Sequence, residues 1–139
     1  MCRAGTQYCA IRLGHVLETM RTMPRYPVLS ELPEGVECSF IRGKVCPVVD
    51  LCRLLEKEAP VNRLVLLQLP RERNVALAVT GVDGVFELSS ENLEKKPPLL
   101  SGVRSDWIES FGFLDGQFLQ ILEVGALLSE QDWNLIEAQ

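Results

Sequence analysis

The stretch FIRGKVCPVVDL, residues 40–51, decides the fold of this chain. Two apolar runs with strand propensity flank the polar triplet Arg42-Gly43-Lys44. Gly43 supplies the positive φ angle that a tight connection between two strands requires. The stretch therefore predicts a β-hairpin with two cations at its tip.

The second half of the stretch adds two expectations. Pro47 has no N–H to donate, so its strand is expected at a sheet edge or at a bulge. Asp50 precedes LCRLLE, residues 51–56, and its carboxylate is expected to cap a short helix by accepting the free N–H groups of the first turn.

Two further hairpins are predicted downstream. RLVLLQL (63–69) and VALAVTGV (75–82) flank the polar turn PRERN, and their near-continuous hydrophobicity indicates strands that are covered on both faces. FGFLDGQFLQIL (111–122) has Asp115-Gly116, a favoured two-residue turn, between two apolar strands.

The remaining segments predict short helices and connections. LGHVLETM (13–20) has helical apolar spacing, and Ser129 is a candidate N-cap for a helix that begins at about 129. GVDGVFEL (81–88) predicts a bend that leads into another strand, whereas the Pro-rich segments 24–33 and 90–102 predict loops. The chain is thus all-β with three short helices, in a barrel or a sandwich.

Composition indicates one folded domain that spans residues 1–139. Apolar residues make up 47% and charged residues 24% of the chain, which is ordinary for a globular protein. No apolar run approaches the roughly 20 residues of a spanning helix, and no secretory signal is visible, so a cytoplasmic protein is expected. The net charge of −5, without a basic stripe, argues against nucleic-acid binding.

Catalytic patterns are scarce in this sequence. The five cysteines are scattered without a C-x-x-C pair, so reduced thiols are expected, with neither disulfides nor a metal site. His15 is the one histidine, and it is expected at the surface or boundary of the first helix. No phosphate-binding glycine motif and no cofactor signature occurs. We therefore expect no enzyme but a domain that works through its surface, where Arg42 can offer its five-donor fork to a partner or remain solvated.

The motifs GHVLETMR, FIRGKVCPVVDLCRLL, RLVLLQL with NVALAVTGVDGV, and GFLDGQFLQILEVGALL resemble the CheW-like adaptor family of bacterial chemotaxis. The R-G-x-x-x-P-V-x-D-L pattern of residues 42–51 is the core of that resemblance, which extends from about Gly5 to Ser129. It implies a domain of two packed, intertwined lobes, each a five-stranded β-barrel.

The resemblance also implies a function, which is to link chemoreceptors to the chemotaxis histidine kinase without catalysis. The implied partners are the cytoplasmic tip of a methyl-accepting receptor and the regulatory domain of the kinase, with no insertion into the membrane. Family motifs place the groove for the receptor tip at six residues: Leu13, Val16 and Glu18 on the first helix, Leu64 and Val75 on the central strands, and Arg42 on the hairpin.

Two other functions remain open at this point. The first is a divergent regulatory module of a two-component pathway that does not control chemotaxis. The second is a small ligand-binding or thiol-enzyme barrel built around a cysteine. Three departures from the family pattern also stand out. Few residues precede Arg3, which implies a truncated first strand or an internal start; ECSF replaces the usual glycine and asparagine before Arg42; and Thr80 replaces a frequent aspartate.

Overall fold

The computed structural model describes residues 1–26, 32–33, 35–89, 91, 93–95 and 106–138. Eleven strands are assigned in this described part of the chain: β1 Cys2–Ala4, β2 Gln7–Ala10, β3 Val16–Arg21, β4 Val36–Ile41, β5 Lys44–Asp50, β6 Arg63–Leu69, β7 Arg73–Val79, β8 Gly81–Val82, β9 Leu93–Lys95, β10 Ile108–Leu114 and β11 Gln117–Leu122. The helices are α1 Leu51–Leu54 and α2 Glu130–Glu137, with 3₁₀ turns at Leu13–His15 and Val124–Ala126.

The predicted hairpin at residues 40–51 is confirmed. β4 and β5 pair antiparallel around Arg42-Gly43, and both turn residues have positive φ angles, 52° and 77°. β5 is an interior strand, which corrects the edge prediction for Pro47. The pairing of β5 with β7 covers only Val48–Asp50, so Pro47 lies just outside it. The missing N–H of Pro47 therefore faces no partner on β7.

One sheet has five strands in the order β3-β6-β7-β5-β4, and its strands β6 and β7 are buried on both faces. Along β6, Val65 and Leu67 join the larger core cluster, whereas Leu64 and Leu66 join a smaller cluster on the opposite face. β7 alternates in the same way, so the prediction of strands covered on both faces is confirmed.

The second sheet has six strands in the order β8-β1-β2-β11-β10-β9 within the described residues. It contains the predicted hairpin β10–β11, in which Asp115 and Gly116 have φ angles of 50° and 78°. β2 joins β11 in parallel, which brings the N-terminal hairpin against the C-terminal one.

The two sheets share one core, and the predicted mainly-β, two-lobed fold class is confirmed. The larger core cluster combines residues of β1 and β2 with residues of β6, β7 and the C-terminal helix. Among the described residues, the first and last strands of each sheet are not paired with each other, so neither sheet closes into a barrel. With β8, one of the sheets has six strands and not five. The lobes are therefore not closed five-stranded barrels. In the five-stranded sheet, Tyr26 and Cys38 exchange two backbone hydrogen bonds of 2.7 and 2.9 Å, which joins the segment after β3 to β4.

Three segments differ from their predicted structure. Residues 13–20 form a 3₁₀ turn followed by strand β3, not an α-helix, because pairing with β6 favours the extended form. Residues 85–88 lie in no strand; β8 ends at Val82, and Gly84 has a φ of 122°. Residues 93–95, inside the second predicted loop, form strand β9, which pairs with β10. Of the two predicted loops, residues 27–31, 90, 92 and 96–102 lie outside the described residues.

The predicted helix caps are both present. The Asp50 carboxylate accepts from the Arg53 N–H at 3.2 Å and pairs with Arg25. Ser129 and Asp132 form a reciprocal capping box at the start of α2. Among the described helices, none has the length and apolarity needed to cross a membrane.

Candidate partner-binding cleft between the sheets

A cavity of about 310 Å³ opens between the two sheets. The six-stranded sheet contributes Cys2, Leu119 and Ile121, and the five-stranded sheet contributes Val16 and Val65. The segment 82–88, which is not a strand beyond Val82, adds exposed Val85 and Phe86 to the wall. We call this space the inter-sheet cavity, and its lining is dominated by aliphatic and aromatic side chains.

Leu13 and Val16, two predicted groove residues, both line the inter-sheet cavity. Leu13 lies in the 3₁₀ turn with 60% of its surface exposed, although it is a large apolar side chain. Val16 begins β3 and packs against the shared core from the cavity side. The helix predicted for them was wrong, yet the turn before β3 brings both to the same wall.

Glu18 and Arg42 are brought together in an ion pair. The Arg42 side chain is 59% exposed and the Glu18 side chain 39% exposed, so both remain open to solvent. The chain does not enclose Arg42, but Arg42 lies outside the lining of the inter-sheet cavity. It lines a second space instead, which we call the lateral cleft.

The lateral cleft, of about 620 Å³, lies between the β4–β5 hairpin, the β6–β7 turn and helix α2. Its base includes Leu66, Trp133 and Ile136. Arg73 joins the two sides, because its guanidinium donates to Glu130 and Glu137 and lies 5.1 Å from the centre of the Trp133 ring. These bonds raise the pKa of Arg73 and lower the pKa of Glu130, so charged groups link helix α2 to strand β7.

Leu64 and Val75 are each 0% exposed and belong to opposite faces of the five-stranded sheet. In this conformation they support the fold and reach no open surface. Val65, the neighbour of Leu64, lines the cavity instead. Sequence reasoning missed Val65 because an all-apolar strand does not reveal which face each residue takes.

Polar groups border the inter-sheet cavity at one end. Arg12 lines it and forms an ion pair with Glu109 of β10, in which the Arg12 Nε lies 3.1 Å from a carboxylate oxygen. That hydrogen bond and the nearby negative charge raise the pKa of Arg12.

Thr80, the departure from the family pattern, accepts a hydrogen bond from the Gly5 N–H at 2.8 Å and so fixes the β1–β2 turn.

The cysteines do not form an open reactive site. All five are free and buried. Burial raises the pKa of Cys2 and of Cys46 to about 12 and also raises the pKa of Cys9 and of Cys38.

No group of three or more potential metal ligands occurs in the described part of the chain. His15 lies with its Nδ1 at 3.3 Å from the Gln68 carbonyl oxygen, in the 3₁₀ turn and not in a helix.

The chain is thus a β domain of two sheets. Its accessible surface includes the apolar inter-sheet cavity and charged side chains on the hairpins. The family model of the CheW-like domain matches residues 1–132. The chain therefore belongs to the CheW-like domain family.

Individual relatives are distant in sequence and close in fold. The chemotaxis protein CheW of Klebsiella aerogenes is 23% identical over 100 residues, which is 70% of this chain and 60% of that protein. The chain thus spans about 60% of the length of this curated relative. The crystal structure of the scaffolding protein TtCheW from Thermoanaerobacter tengcongensis matches with a TM-score of 0.76 and 20% identity, over 89% of this chain and 82% of that one.

Proposed function

We propose that this chain is a non-catalytic adaptor that couples the cytoplasmic tips of chemoreceptors to the chemotaxis histidine kinase. The observation that carries the proposal is the apolar inter-sheet cavity, with Leu13 and Val16 in its wall, in a chain of the CheW-like family. A partner helix that buries apolar anchors needs such a groove, because its side chains must leave water together.

Several features agree with a scaffold role. The two sheets share one core, which supports residues 1–139 as a single domain that presents surfaces at fixed positions. The buried thiols with raised pKa values are unsuited to nucleophilic chemistry, which needs an accessible thiolate. In this proposal the domain acts in the cytoplasm, is recruited to membrane receptor arrays through its partners, and binds neither cofactor nor nucleic acid.

Leu13, Val16, Glu18 and Arg42 are the proposed contact residues for the receptor tip. Leu13 and Val16 supply apolar area, while the Glu18–Arg42 pair supplies charge on the neighbouring surface. Leu64 and Val75 act through packing, since they hold the strands that carry the cavity wall.

Affinity capture tests this proposal with a matched pair of variants. Leu13→Asp places a charge in the cavity wall, whereas Leu17→Asp places the same charge on an exposed β3 position outside the cavity lining. We expect the wild type and Leu17→Asp to bind a helical-hairpin peptide of the receptor tip, and Leu13→Asp to lose this binding. Absence of binding by the wild type to both the receptor tip and the kinase regulatory domain would exclude the adaptor function.

A second candidate keeps the fold and changes the pathway. This chain is only 23% identical to the Klebsiella relative over 100 residues, which leaves room for a different pathway. In this second candidate the chain is a regulatory module of a two-component pathway outside chemotaxis. Swimming of a deletion strain in an attractant gradient distinguishes the two, because an unaltered chemotactic response supports the second candidate.

A further inference from the structure

The inter-sheet cavity has an open end and a closed end. At the open end lie Leu13, Val85 and Phe86, large apolar side chains that are between 48% and 72% exposed. The closed end is formed by side chains of both sheets that are only between 1% and 5% exposed, although they line the same space: Cys2, Val65, Leu119 and Ile121. The cavity therefore continues from the surface into the interior of the domain.

The closed end is too narrow for a helix. Packed sheets lie about 10 Å apart, and an α-helix with its side chains is itself about 10 Å wide. A partner helix can therefore cover the open end, but it leaves the closed end unfilled. A single hydrocarbon chain is thin enough to enter. Apolar cavities exclude water and accept apolar molecules, and a cavity of about 150 Å³ holds benzene. The 310 Å³ of this cavity thus holds roughly a dozen carbon atoms.

The open end carries one charge. Among the described residues that line the cavity, Arg12 is the only one with a charged side chain, and it precedes Leu13 of the open end. Its guanidinium donates to Glu109 through Nε and Nη2, whereas Nη1 makes no hydrogen bond to any residue that the structure describes. Because a guanidinium offers five donors in a fixed plane, Arg12 can hold a second carboxylate beside Glu109.

We propose that the inter-sheet cavity binds a monocarboxylate with a linear acyl chain of roughly ten to twelve carbons. The acyl chain lies in the closed end, against Val65 and Leu119, and the carboxylate accepts from Nη1 of Arg12 at the open end. The hydrocarbon supplies the binding energy by leaving water, and the guanidinium selects an anionic head group. This ligand goes beyond the adaptor function, and its binding to the chain requires neither receptor nor kinase.

Titration calorimetry with a series of linear carboxylates tests the length of the site. Each ligand, from hexanoate to hexadecanoate, is kept below its micelle-forming concentration. We expect affinity to rise by about fourfold per added methylene, the scale for burying this group, and to stop rising near dodecanoate, when the cavity is full. Absence of binding by decanoate and dodecanoate would overturn the proposal. Affinity that keeps rising to hexadecanoate would show adsorption to the surface and would also overturn it.

Variants of the charged end test the position of the carboxylate. Arg12→Gln is expected to weaken dodecanoate binding by roughly fivefold, the scale of an exposed ion pair, and to leave the binding of 1-dodecanol unchanged. Glu109→Gln removes the competing carboxylate and is expected to strengthen dodecanoate binding. Arg21→Gln is the matched control, because Arg21 is an exposed β3 residue outside the cavity lining. Equal affinities of Arg12→Gln and Arg21→Gln would contradict the assigned head-group site.

Variants of the closed end test the position of the acyl chain. Val65→Phe fills this end and is expected to abolish dodecanoate binding, whereas Val45→Phe, outside the cavity lining, is expected to bind like the wild type. Thr19→Phe provides a second test, because Thr19 lies opposite Val65 on β3 and lines the cavity from an exposed position that tolerates a larger side chain. Circular dichroism confirms that each variant is folded. Undiminished binding by the folded cavity variants would refute the site.

One consequence rests on the adaptor proposal, since the acyl ligand occupies the cavity proposed for the receptor tip. Capture of the receptor-tip peptide is expected to fall as dodecanoate saturates the wild type, and to be unaffected by hexanoate at the same concentration. Unchanged capture at saturating dodecanoate would refute this competition. Calorimetry on the chain alone measures the ligand site without the peptide, so failure of the adaptor proposal and failure of the ligand site are distinguishable.

Discussion

Glu18 and Arg42 form an ion pair that joins the two outermost strands of the five-stranded sheet. Glu18 lies in edge strand β3, and Arg42 lies at the turn that ends edge strand β4. The two hydrogen bonds between Tyr26 and Cys38 link the same two regions, since Tyr26 follows β3 and Cys38 lies in β4. The sheet is therefore rolled until its edges approach, and the ion pair lies at that seam.

Removing the ion pair is expected to change stability only slightly. Both side chains are more than one-third exposed, so solvent screens their attraction, and a double-mutant cycle of Glu18→Ala and Arg42→Ala should give a coupling of about 0.5 kcal/mol. Chemical denaturation measures this coupling, which should shrink in high salt. A coupling several times larger would mean that the pair holds the seam closed. In the adaptor proposal, the same variants weaken receptor-tip binding while the domain stays folded.

The turn next to this pair gives a prediction about the backbone. Gly43 has a φ of 77°, and an added Cβ there would meet no atom within 4 Å. Gly43→Ala should therefore cost only the left-handed backbone penalty, about 1 kcal/mol of unfolding free energy. Gly43→Asn is the matched control, because asparagine tolerates this conformation better, and its loss should be smaller. Equal losses of unfolding free energy for the two variants would show that the space for the side chain, and not the backbone φ angle, determines the loss.

Local chemistry explains which parts of the fold could be predicted from the sequence. Gly43 and Gly116 mark turns, and Asp50 and Ser129 mark helix starts, through interactions within a few residues. β3 was predicted wrongly because Val16 and Met20 satisfy a helical spacing as well as a strand alternation. Its state is decided by pairing with β6, more than 40 residues away in sequence, as the pair Met20–Leu64 illustrates.

The same distinction holds for the candidate site. Leu13 and Val16 reach the inter-sheet cavity although the structure predicted for them was wrong. Leu64 does not, because a one-residue difference in register reverses the face of every side chain, and β6 is apolar on both faces. The ion pair between residues 18 and 42 follows from the rolled sheet and has no local signal.

Acid is expected to loosen helix α2 through Glu130. Hydrogen bonds from Arg73 lower the pKa of Glu130 below its usual 4.5, so the native state favours the ionised carboxylate. The resulting stabilisation is fully present above pH 4.5 and is lost as the pH falls through the lowered native pKa. Unfolding monitored over pH should show a gap between the wild type and Glu130→Gln that closes in acid. A gap that is constant with pH would exclude this cause.

The thiols are expected to react slowly in the native protein. Burial raises the pKa of Cys2 and Cys46 to about 12, so the reactive thiolate is scarce at neutral pH, and the side chains are also inaccessible. Labelling with an aromatic disulfide reagent should be slow in buffer and rapid for all five cysteines in denaturant. Rapid labelling of one cysteine in the native state would revive the thiol-enzyme alternative.

Substitutions at Leu64, Val75 and Leu13 distinguish residues that support the inter-sheet cavity from residues that contact a partner. Leu64 is 0% exposed, so Leu64→Ala leaves a cavity and should lower the unfolding free energy by about 2–5 kcal/mol. Val75→Ala removes less volume and should cost less. Leu13 is 60% exposed, so Leu13→Ala should leave stability nearly unchanged and weaken receptor-tip binding. Denaturation and binding are measured on the same samples, below the unfolding transition of each variant. If Leu64→Ala lost binding while fully folded and Leu13→Ala retained it, the groove would lie on the opposite face of β6.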